Sequence, residues 1–159
     1  MTISKFRNLA VAAAMPLAFA AVPALANNHG THISPYAPIT TAEVEAAQRA
    51  WCGALVAIAT EHDTKGHAAA KALAQQVIDS AYAYNMGPVL FKPTLTVAPQ
   101  TFRTTADGAL AYFVGGDRNY ANDSGFALKG WRKCEAVNTG IVVTGNSAIS
   151  MGNVSMWDS

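Results

Sequence analysis

Charged residues are few in this chain, and the basic ones do not form a cluster. Of the 159 residues, 11 are Lys or Arg and 10 are Asp or Glu, which leaves a formal net charge of +1. A protein that follows a nucleic acid backbone needs a basic stripe or patch to neutralise phosphates. The sequence has no such patch, so nucleic acid is not expected as a partner.

Metal-ligating residue types are also few, and they are dispersed. The four histidines are His29, His32, His62 and His67. A catalytic zinc ion typically takes three protein ligands from a rigid scaffold. Two of these histidines lie in a segment without periodicity, and the other two flank a predicted break between helices. The sequence therefore does not favour a zinc centre.

Only two cysteines are present, and they do not form a CxxC motif. Cys52 lies in a helical pattern and Cys134 in a strand pattern. A disulfide persists in an oxidising compartment, but its formation requires Cα atoms within bridging distance. The sequence leaves two alternatives open, a disulfide between them or two buried free thiols.

The first 26 residues have the features of a cleavable signal peptide. Lys5 and Arg7 precede an apolar run over residues 9–21, and residues 24–26 read Ala-Leu-Ala. A membrane-spanning helix would need about 20 apolar residues, and this run is shorter. A basic start, a short apolar core and small residues at the exit indicate export. We therefore expect the mature chain to be periplasmic or secreted, without a membrane span. Because cleavage removes two of the 11 basic residues, the mature chain carries a net charge of −1.

Two helices are predicted to follow an unstructured lead over residues 27–39. Thr40 and Glu43 match a capping box, in which the threonine side chain and the glutamate satisfy each other's backbone amides. Apolar residues at helical spacing continue to Ile58, and the polar stretch 60–66 is expected to end this helix. The second helix is predicted from about His67 to Tyr84.

Strand signals come later in the chain. A short β-like run covers residues 89–91, a short helix is predicted over residues 105–114, and residues 117–125 are typical of a solvated loop. From Phe126 the pattern predicts strand, with a tight turn at Gly145 and Asn146. Helices first and strands later indicate an α+β domain over residues 40–159. Because the sequence stops in strand-like residues, we expect it to be truncated at its carboxyl end.

Several motifs in this order resemble one family. They are Val-Leu-Phe-Lys-Pro-Thr at 89–94, Phe-Arg-x-Thr at 102–105, Gly-Ala-Leu-Ala-Tyr-Phe-Val-Gly-Gly at 108–116, Gly-Phe-Ala-Leu-x-x-Trp at 125–131, Asn-x-Gly-Ile at 138–141 and Ala-x-x-Met-Gly-Asn at 148–153. This series is similar to the iota-class carbonic anhydrases. The resemblance implies a SnoaL-like cone fold, in which helices pack on a curved mixed or antiparallel sheet, here without its last strands. It also implies a homodimer.

The resemblance further implies a polar pocket that handles water and carbon dioxide. Thr94 and Tyr112 match two of the family's pocket residues, and Lys92 and Arg103 are nearby cations that can attract bicarbonate. The family's terminal His-His-Ser-Ser segment has no counterpart in this sequence. No cofactor is implied, since some family members are described as metal-free and others as metal-dependent.

Other interpretations remain at this point. Thr94 follows Pro93 and fits an ordinary turn, and Tyr112 fits core packing. The same fold also serves noncatalytic binding or oligomerisation modules. Exported relatives are often labelled phosphoribosyl-AMP cyclohydrolase, a hydrolase whose chemistry would require clustered metal ligands.

A separate metal site is conceivable at the new amino terminus. After cleavage, Asn27, Asn28 and His29 come first. A free amine, two backbone amides and an imidazole can surround Cu(II) or Ni(II) in a square plane. The alternative is a tail whose third residue happens to be histidine.

Overall fold

The computed structural model describes residues 37–159. Its helices are α1 (Thr41–Lys65), α2 (His67–Ala81) and α3 (Ala106–Val114). Two short 3₁₀ turns cover Arg118–Tyr120 and Phe126–Leu128, and the strands are β1 (Lys133–Thr144) and β2 (Ser147–Trp157). The strands form a two-stranded antiparallel sheet on which the helices pack. The predicted α+β class is confirmed.

The amino terminus of α1 is held by the predicted capping box. The Glu43 amide donates to the Thr40 hydroxyl at 3.2 Å, and the Thr40 amide donates to the Glu43 carboxylate at 2.7 Å. Hydrogen bonds from Thr40 lower the pKa of the Glu43 carboxyl, which also suits an acid beside the positive end of a helix.

The predicted break over residues 60–66 is wrong, because α1 continues to Lys65. The polar residues lie on an exposed surface of the helix, where Lys65 bonds Glu61 one turn earlier at 3.1 Å. Only Gly66 separates α1 from α2, and its φ of 85° is a conformation that glycine adopts without strain.

Helix α2 ends at Ala81, three residues before the predicted end. Tyr82 takes an extended conformation (φ −117°, ψ 130°). Its hydroxyl accepts a hydrogen bond from the Trp51 indole at 3.0 Å, and its ring packs 5.5 Å from that of Phe91. Tyr82 makes these contacts in the extended conformation that ends the helix. The spacing of residues in the sequence does not predict them.

The predicted strand from Phe126 is also wrong at its start, because β1 begins at Lys133. Gly125 and Gly130 have φ values of 88° and 73°, which no strand residue adopts. Between them, Phe126 is buried and accepts a hydrogen bond from the Trp131 indole at 2.8 Å. The segment's apolar residues therefore fill the core as a 3₁₀ turn. The β-like run at 89–91 is reduced to one bridge between Phe91 and Arg103.

The hairpin of β1 and β2 turns at Gly145 and Asn146 as predicted, and it carries a bulge between Asn138 and Gly140. Next to the bulge, Gly152 pairs with Asn138. A Cβ atom at Gly152 would overlap the Val137 carbonyl oxygen. The bulge therefore requires glycine opposite it.

We expect Gly152→Ala to destabilise the protein by about 1–3 kcal/mol, since overpacking at a tight contact forces the backbone to shift. Urea unfolding followed by circular dichroism measures the change. Gly140→Ala is the matched control, because a Cβ there meets no atom within 4 Å. Equal stability of the two variants would contradict the steric argument.

A disulfide between Cys52 and Cys134 joins α1 to β1, which decides between the two alternatives left by the sequence. The Cα atoms lie 5.1 Å apart, within the range that a disulfide spans. On the same face of the hairpin, Gln48 of α1 bonds Asn138 and Ser150. None of the helices within residues 37–159 combines the length and apolar character that crossing a bilayer requires.

Candidate functional site

Helix α3 presents Tyr112 from the centre of the core. The Thr105 hydroxyl caps the helix by accepting from the Gly108 amide at 3.2 Å, and Gly115 ends it with a φ of 64°. Residues 108–114 are all buried. A helix this apolar has no solvent-facing side, so the surrounding core determines the direction of each side chain.

The ring of Tyr112 is held by aromatic neighbours. It stacks on Phe126 with centroids 5.3 Å apart and an interplanar angle of 16°, and it meets Phe91 edge to face at 5.8 Å. Contacts of this kind add about 0.5–1.5 kcal/mol each beyond buried area. Tyr112 is only 5% exposed, so its ring is held in place by the core.

Beside Tyr112 lies a small cavity of about 30 Å³. Its other lining residues are Leu95, Asn122, Asp123, Ser124, Phe126 and Lys129. The volume is enough for about one or two water molecules. The cavity is therefore lined by a tyrosine, an acidic residue and an amide residue, and it has about the size of a small triatomic molecule.

Burial raises the pKa of the Tyr112 phenol, while a hydrogen bond with the Leu95 backbone partly offsets that effect. The Asp123 carboxylate raises the pKa further and Arg103 lowers it. Tyr112 is consequently a neutral phenol near pH 7. In that form it donates one hydrogen bond and accepts others.

Thr94 and Lys92 lie in the segment that leads to Leu95, which lines this cavity, but neither of them is among its lining residues. Both are exposed, while Pro93 between them is buried. The residue after Thr94 is Leu95, whose backbone bonds the Tyr112 hydroxyl. The structure thus brings the segment that carries Thr94 to Tyr112, and it leaves the Lys92 ammonium in solvent.

Arg103, predicted as a cation near the substrate, is buried and already paired. Its side chain is 2% exposed and makes a double contact with Asp123, with NH2 donating to both carboxylate oxygens at 2.8 Å. The remaining terminal nitrogen donates to the carbonyls of Gln100 and Phe102. No donor of this guanidinium is directed to solvent, so Arg103 influences the cavity through Asp123.

Asp123 is the residue of this site that sequence reasoning missed. It lies in the stretch 117–125, predicted as a solvated loop, yet its side chain is 4% exposed. Nothing in the spacing pairs it with an arginine 20 positions earlier. A buried carboxylate requires a charged or hydrogen-bonded partner, but burial is not visible in an isolated polar loop.

A second, wider cleft of about 810 Å³ lies between α1 and β1. The disulfide lines it, together with charged residues that are already paired: Arg49 with Glu45, Lys133 with Glu135, and Arg132 with Asp63. Within residues 37–159, no group of three or more His, Cys, Asp or Glu is placed to hold a metal ion. The predicted copper or nickel site at Asn27, Asn28 and His29, like the predicted signal peptide, lies outside the described residues.

Comparisons with known proteins agree with one another. The family model described as metal-independent carbonic anhydrase matches residues 42–159. A metal-independent carbonic anhydrase from Nostoc sp. strain PCC 7120 is 62% identical over 120 residues, which is 76% of this chain and 58% of the relative, so the chain spans under two thirds of that relative's length.

A solved structure is similar as well. It is the crystal structure of the iota-carbonic anhydrase from a cyanobacterium complexed with bicarbonate, 61% identical with a TM-score of 0.75, and the match covers 76% of this chain and 74% of that one. The family resemblance inferred from the motifs is confirmed. From the extent of the family-model match and the identity to these relatives, we conclude that the chain belongs to the metal-independent carbonic anhydrase family.

Proposed function

We propose that this chain catalyses the hydration of carbon dioxide to bicarbonate, a carbonate dehydratase (lyase) reaction, at the cavity beside Tyr112. The observation that carries the proposal is Tyr112, buried in the core and lining a small cavity together with Leu95, Asn122 and Asp123. Family membership supports the reaction class, and a bicarbonate complex is named for a structure 61% identical to this chain.

The reaction needs water to be aligned on the carbon and the developing negative oxygen to be stabilised. Water adds to carbon dioxide through its oxygen, and one proton leaves to solvent, so that bicarbonate and a hydronium ion are formed. Donors that are placed in advance stabilise the developing charge without reorganising during the reaction. Aligning water and carbon dioxide also removes much of the entropic cost of their encounter.

Each predicted residue has a role in this proposal. Tyr112 is neutral near pH 7, as any phenol with an ordinary pKa is, and its raised pKa keeps it so. It donates to a carbon dioxide oxygen or orients the water. Thr94 orients the second reactant from the adjoining segment. Lys92, an exposed cation two residues before Thr94, attracts bicarbonate. Arg103 affects bicarbonate only indirectly, because Asp123 occupies its guanidinium.

Loss of either hydroxyl should slow hydration. Tyr112→Phe removes the phenolic donor and keeps the ring stacking, and Thr94→Ala removes an exposed hydroxyl with little effect on packing. We expect kcat/KM to fall by about 10²-fold for Tyr112→Phe, the usual cost of losing one donor to a developing charge. We expect a fall of about tenfold for Thr94→Ala, which corresponds to the loss of one ordinary hydrogen bond. Stopped-flow hydration with a pH indicator measures both.

Matched controls separate this effect from general loss of hydroxyl groups. Tyr82→Phe removes a phenol that bonds Trp51, and Thr104→Ala removes an exposed threonine hydroxyl; both variants should keep the rate. If Tyr112→Phe and Thr94→Ala hydrate carbon dioxide as fast as the unaltered chain, the site assignment is refuted.

We also propose that the chain forms a homodimer through the outer face of its hairpin. Asn138 and Ser150 face α1, so the neighbouring residues in each strand project to the opposite side. Apolar side chains on that side are Val137, Val142, Ile149 and Met151, which are 63–74% exposed. Contiguous exposed apolar residues are typical of interaction surfaces.

Val142 pairs directly with Ile149 across the hairpin, so a charge at either position falls within the proposed contact. We expect Ile149→Lys to shift the chain from dimer to monomer in sedimentation velocity. Gln76→Lys, on the exposed side of α2, should leave the sedimentation coefficient unchanged. An Ile149→Lys protein that remains dimeric would rule out this face.

Export to the periplasm or outside the cell is the third part of the proposal. The amino-terminal pattern supports it, and the Cys52–Cys134 disulfide is of a kind that persists in oxidising compartments. The exported protein would begin at Asn27, which amino-terminal sequencing determines directly.

A further inference from the structure

The pair formed by Arg103 and Asp123 is the most deeply buried charged contact among the described residues. The two side chains are 2% and 4% exposed. Arg103 donates from its ε nitrogen at 3.1 Å and from NH2 at 2.8 Å to the same carboxylate. Such a double contact fixes the relative orientation of the two groups as well as their distance.

This ion pair connects the segments that surround the Tyr112 hydroxyl. Arg103 belongs to the segment that bridges Phe91, where its amide donates to the Phe91 carbonyl at 2.8 Å. Its own carbonyl accepts from the Tyr84 hydroxyl at 2.8 Å. Asp123 lines the cavity itself. Phe91 belongs to the segment that continues to Leu95 in one wall of the cavity, and Asn122 and Asp123 belong to another wall. The ion pair therefore connects these two walls of the cavity.

A third contact closes the arrangement against α3. The ring of Tyr120 covers the guanidinium, with the carbon at its centre 4.5 Å from the ring centroid. Gly108 of α3 leaves the room for this ring, because a Cβ there would lie 2.7 Å from the Tyr120 hydroxyl. The guanidinium is therefore enclosed between α3 and the loop at 117–125.

We propose that the Arg103–Asp123 ion pair is a positioning device for Tyr112, holding the two cavity walls at the separation that directs the phenolic hydroxyl at the reactants. This inference rests on the proposed function, and it assigns Arg103 and Asp123 as positioning residues that do not touch carbon dioxide.

Energetics agree with a role in geometry more than in stability. A buried ion pair repays only about its own desolvation, and apolar residues of similar volume often replace it without loss. What apolar replacements cannot supply is the directional double contact. Within the structure, the charged and titratable groups that act on the Tyr112 phenol or line its cavity are Asp123, Arg103, Tyr82 and Lys129.

The test replaces the pair with apolar residues of similar size, as Arg103→Met combined with Asp123→Leu. Tyrosine labelled with ¹³C at Cζ reports the Tyr112 hydroxyl by NMR, with Tyr112→Phe assigning the resonance. We expect a folded protein whose Tyr112 resonance and phenol titration have moved, and whose kcat is lower by about tenfold or more with KM within about twofold. Because Asp123 and Arg103 also act on the Tyr112 pKa through their charges, the geometric readout is taken from Arg103→Lys, which keeps both charges. A merely structural pair would leave the Tyr112 resonance of that variant in place.

Two further variants complete the design. Arg103→Lys keeps the charge but loses the double contact, so a moved Tyr112 resonance in this variant reports geometry and not the loss of charge, and it carries the test also if the double variant does not fold. The control is Glu45→Leu with Arg49→Met, which removes a surface pair 3.9 Å apart and should leave the Tyr112 resonance and kcat unchanged.

The outcomes are distinguishable. An unmoved Tyr112 resonance and titration in a folded pair variant overturns the positioning inference, whatever the activity. A moved resonance in Arg103→Lys combined with full activity of Tyr112→Phe supports positioning of the hydroxyl and overturns the proposed catalytic role. A moved resonance, a lower kcat and an inactive Tyr112→Phe support both.

Discussion

Loss of the Cys52–Cys134 disulfide should lower the free energy of unfolding by about 2–5 kcal/mol. The bridge closes a loop with a sequence separation of 82 residues, and long loops confine the unfolded chain most in the chain-entropy model. Two isolated strands are marginally stable in water. The hairpin is fastened to α1 by this bond and by the Gln48 contacts to Asn138 and Ser150, so we expect it to loosen first.

The measurement is urea unfolding of Cys52→Ala/Cys134→Ala beside the oxidised protein. Hydrogen exchange should show faster exchange of β1 and β2 amides than of α2 amides. The control is the reductant itself, since dithiothreitol should destabilise the unaltered chain and leave the double variant unchanged. Identical unfolding midpoints of oxidised and double-variant protein would show that the bridge contributes nothing.

Removal of one partner of the Arg103–Asp123 pair should cost about 3–5 kcal/mol, because it leaves an uncompensated buried charge. The effect is predicted for Asp123→Ala and for Arg103→Ala alike. Removing both should cost less than the sum of the two single changes, since the second substitution eliminates the charge that the first left unpaired.

A double-mutant cycle from chemical denaturation measures this coupling. The matched control is the exposed pair of Arg132 and Asp63, which has the same 2.8 Å separation but side chains 45% and 39% exposed. That pair should contribute about 0–1 kcal/mol. A coupling for the buried pair no larger than for the surface pair would contradict the prediction.

Two predictions that depended on neighbouring residues were accurate. The capping box at Thr40 is a contact between residues three apart, and the turn at Gly145 and Asn146 depends on the backbone freedom of those two residues. Both are confirmed. The family resemblance was accurate for a related reason, because ordered motifs carry information that a single residue does not.

Predictions that depended on contacts between distant residues failed or stayed open. Phe126 has strand-like neighbours, but its ring is taken into the core against Tyr112. Helix α2 ends before its predicted end, at the point where Tyr82 contacts Trp51, 31 positions away. The stretch 117–125 has the composition of a solvated loop, and Asp123 within it is buried by an arginine from another segment.

By itself, the sequence determined the α+β class, the helix start at Thr40, the hairpin turn and the family, since these depend on local chemistry and on ordered motifs. Only the tertiary structure decided that Cys52 reaches Cys134, that Arg103 is enclosed by Asp123, and that the Leu95 backbone meets the Tyr112 hydroxyl. Each of these is a contact between residues 17 or more positions apart. Packing of the whole core brings them together, and no local pattern in the sequence encodes that packing.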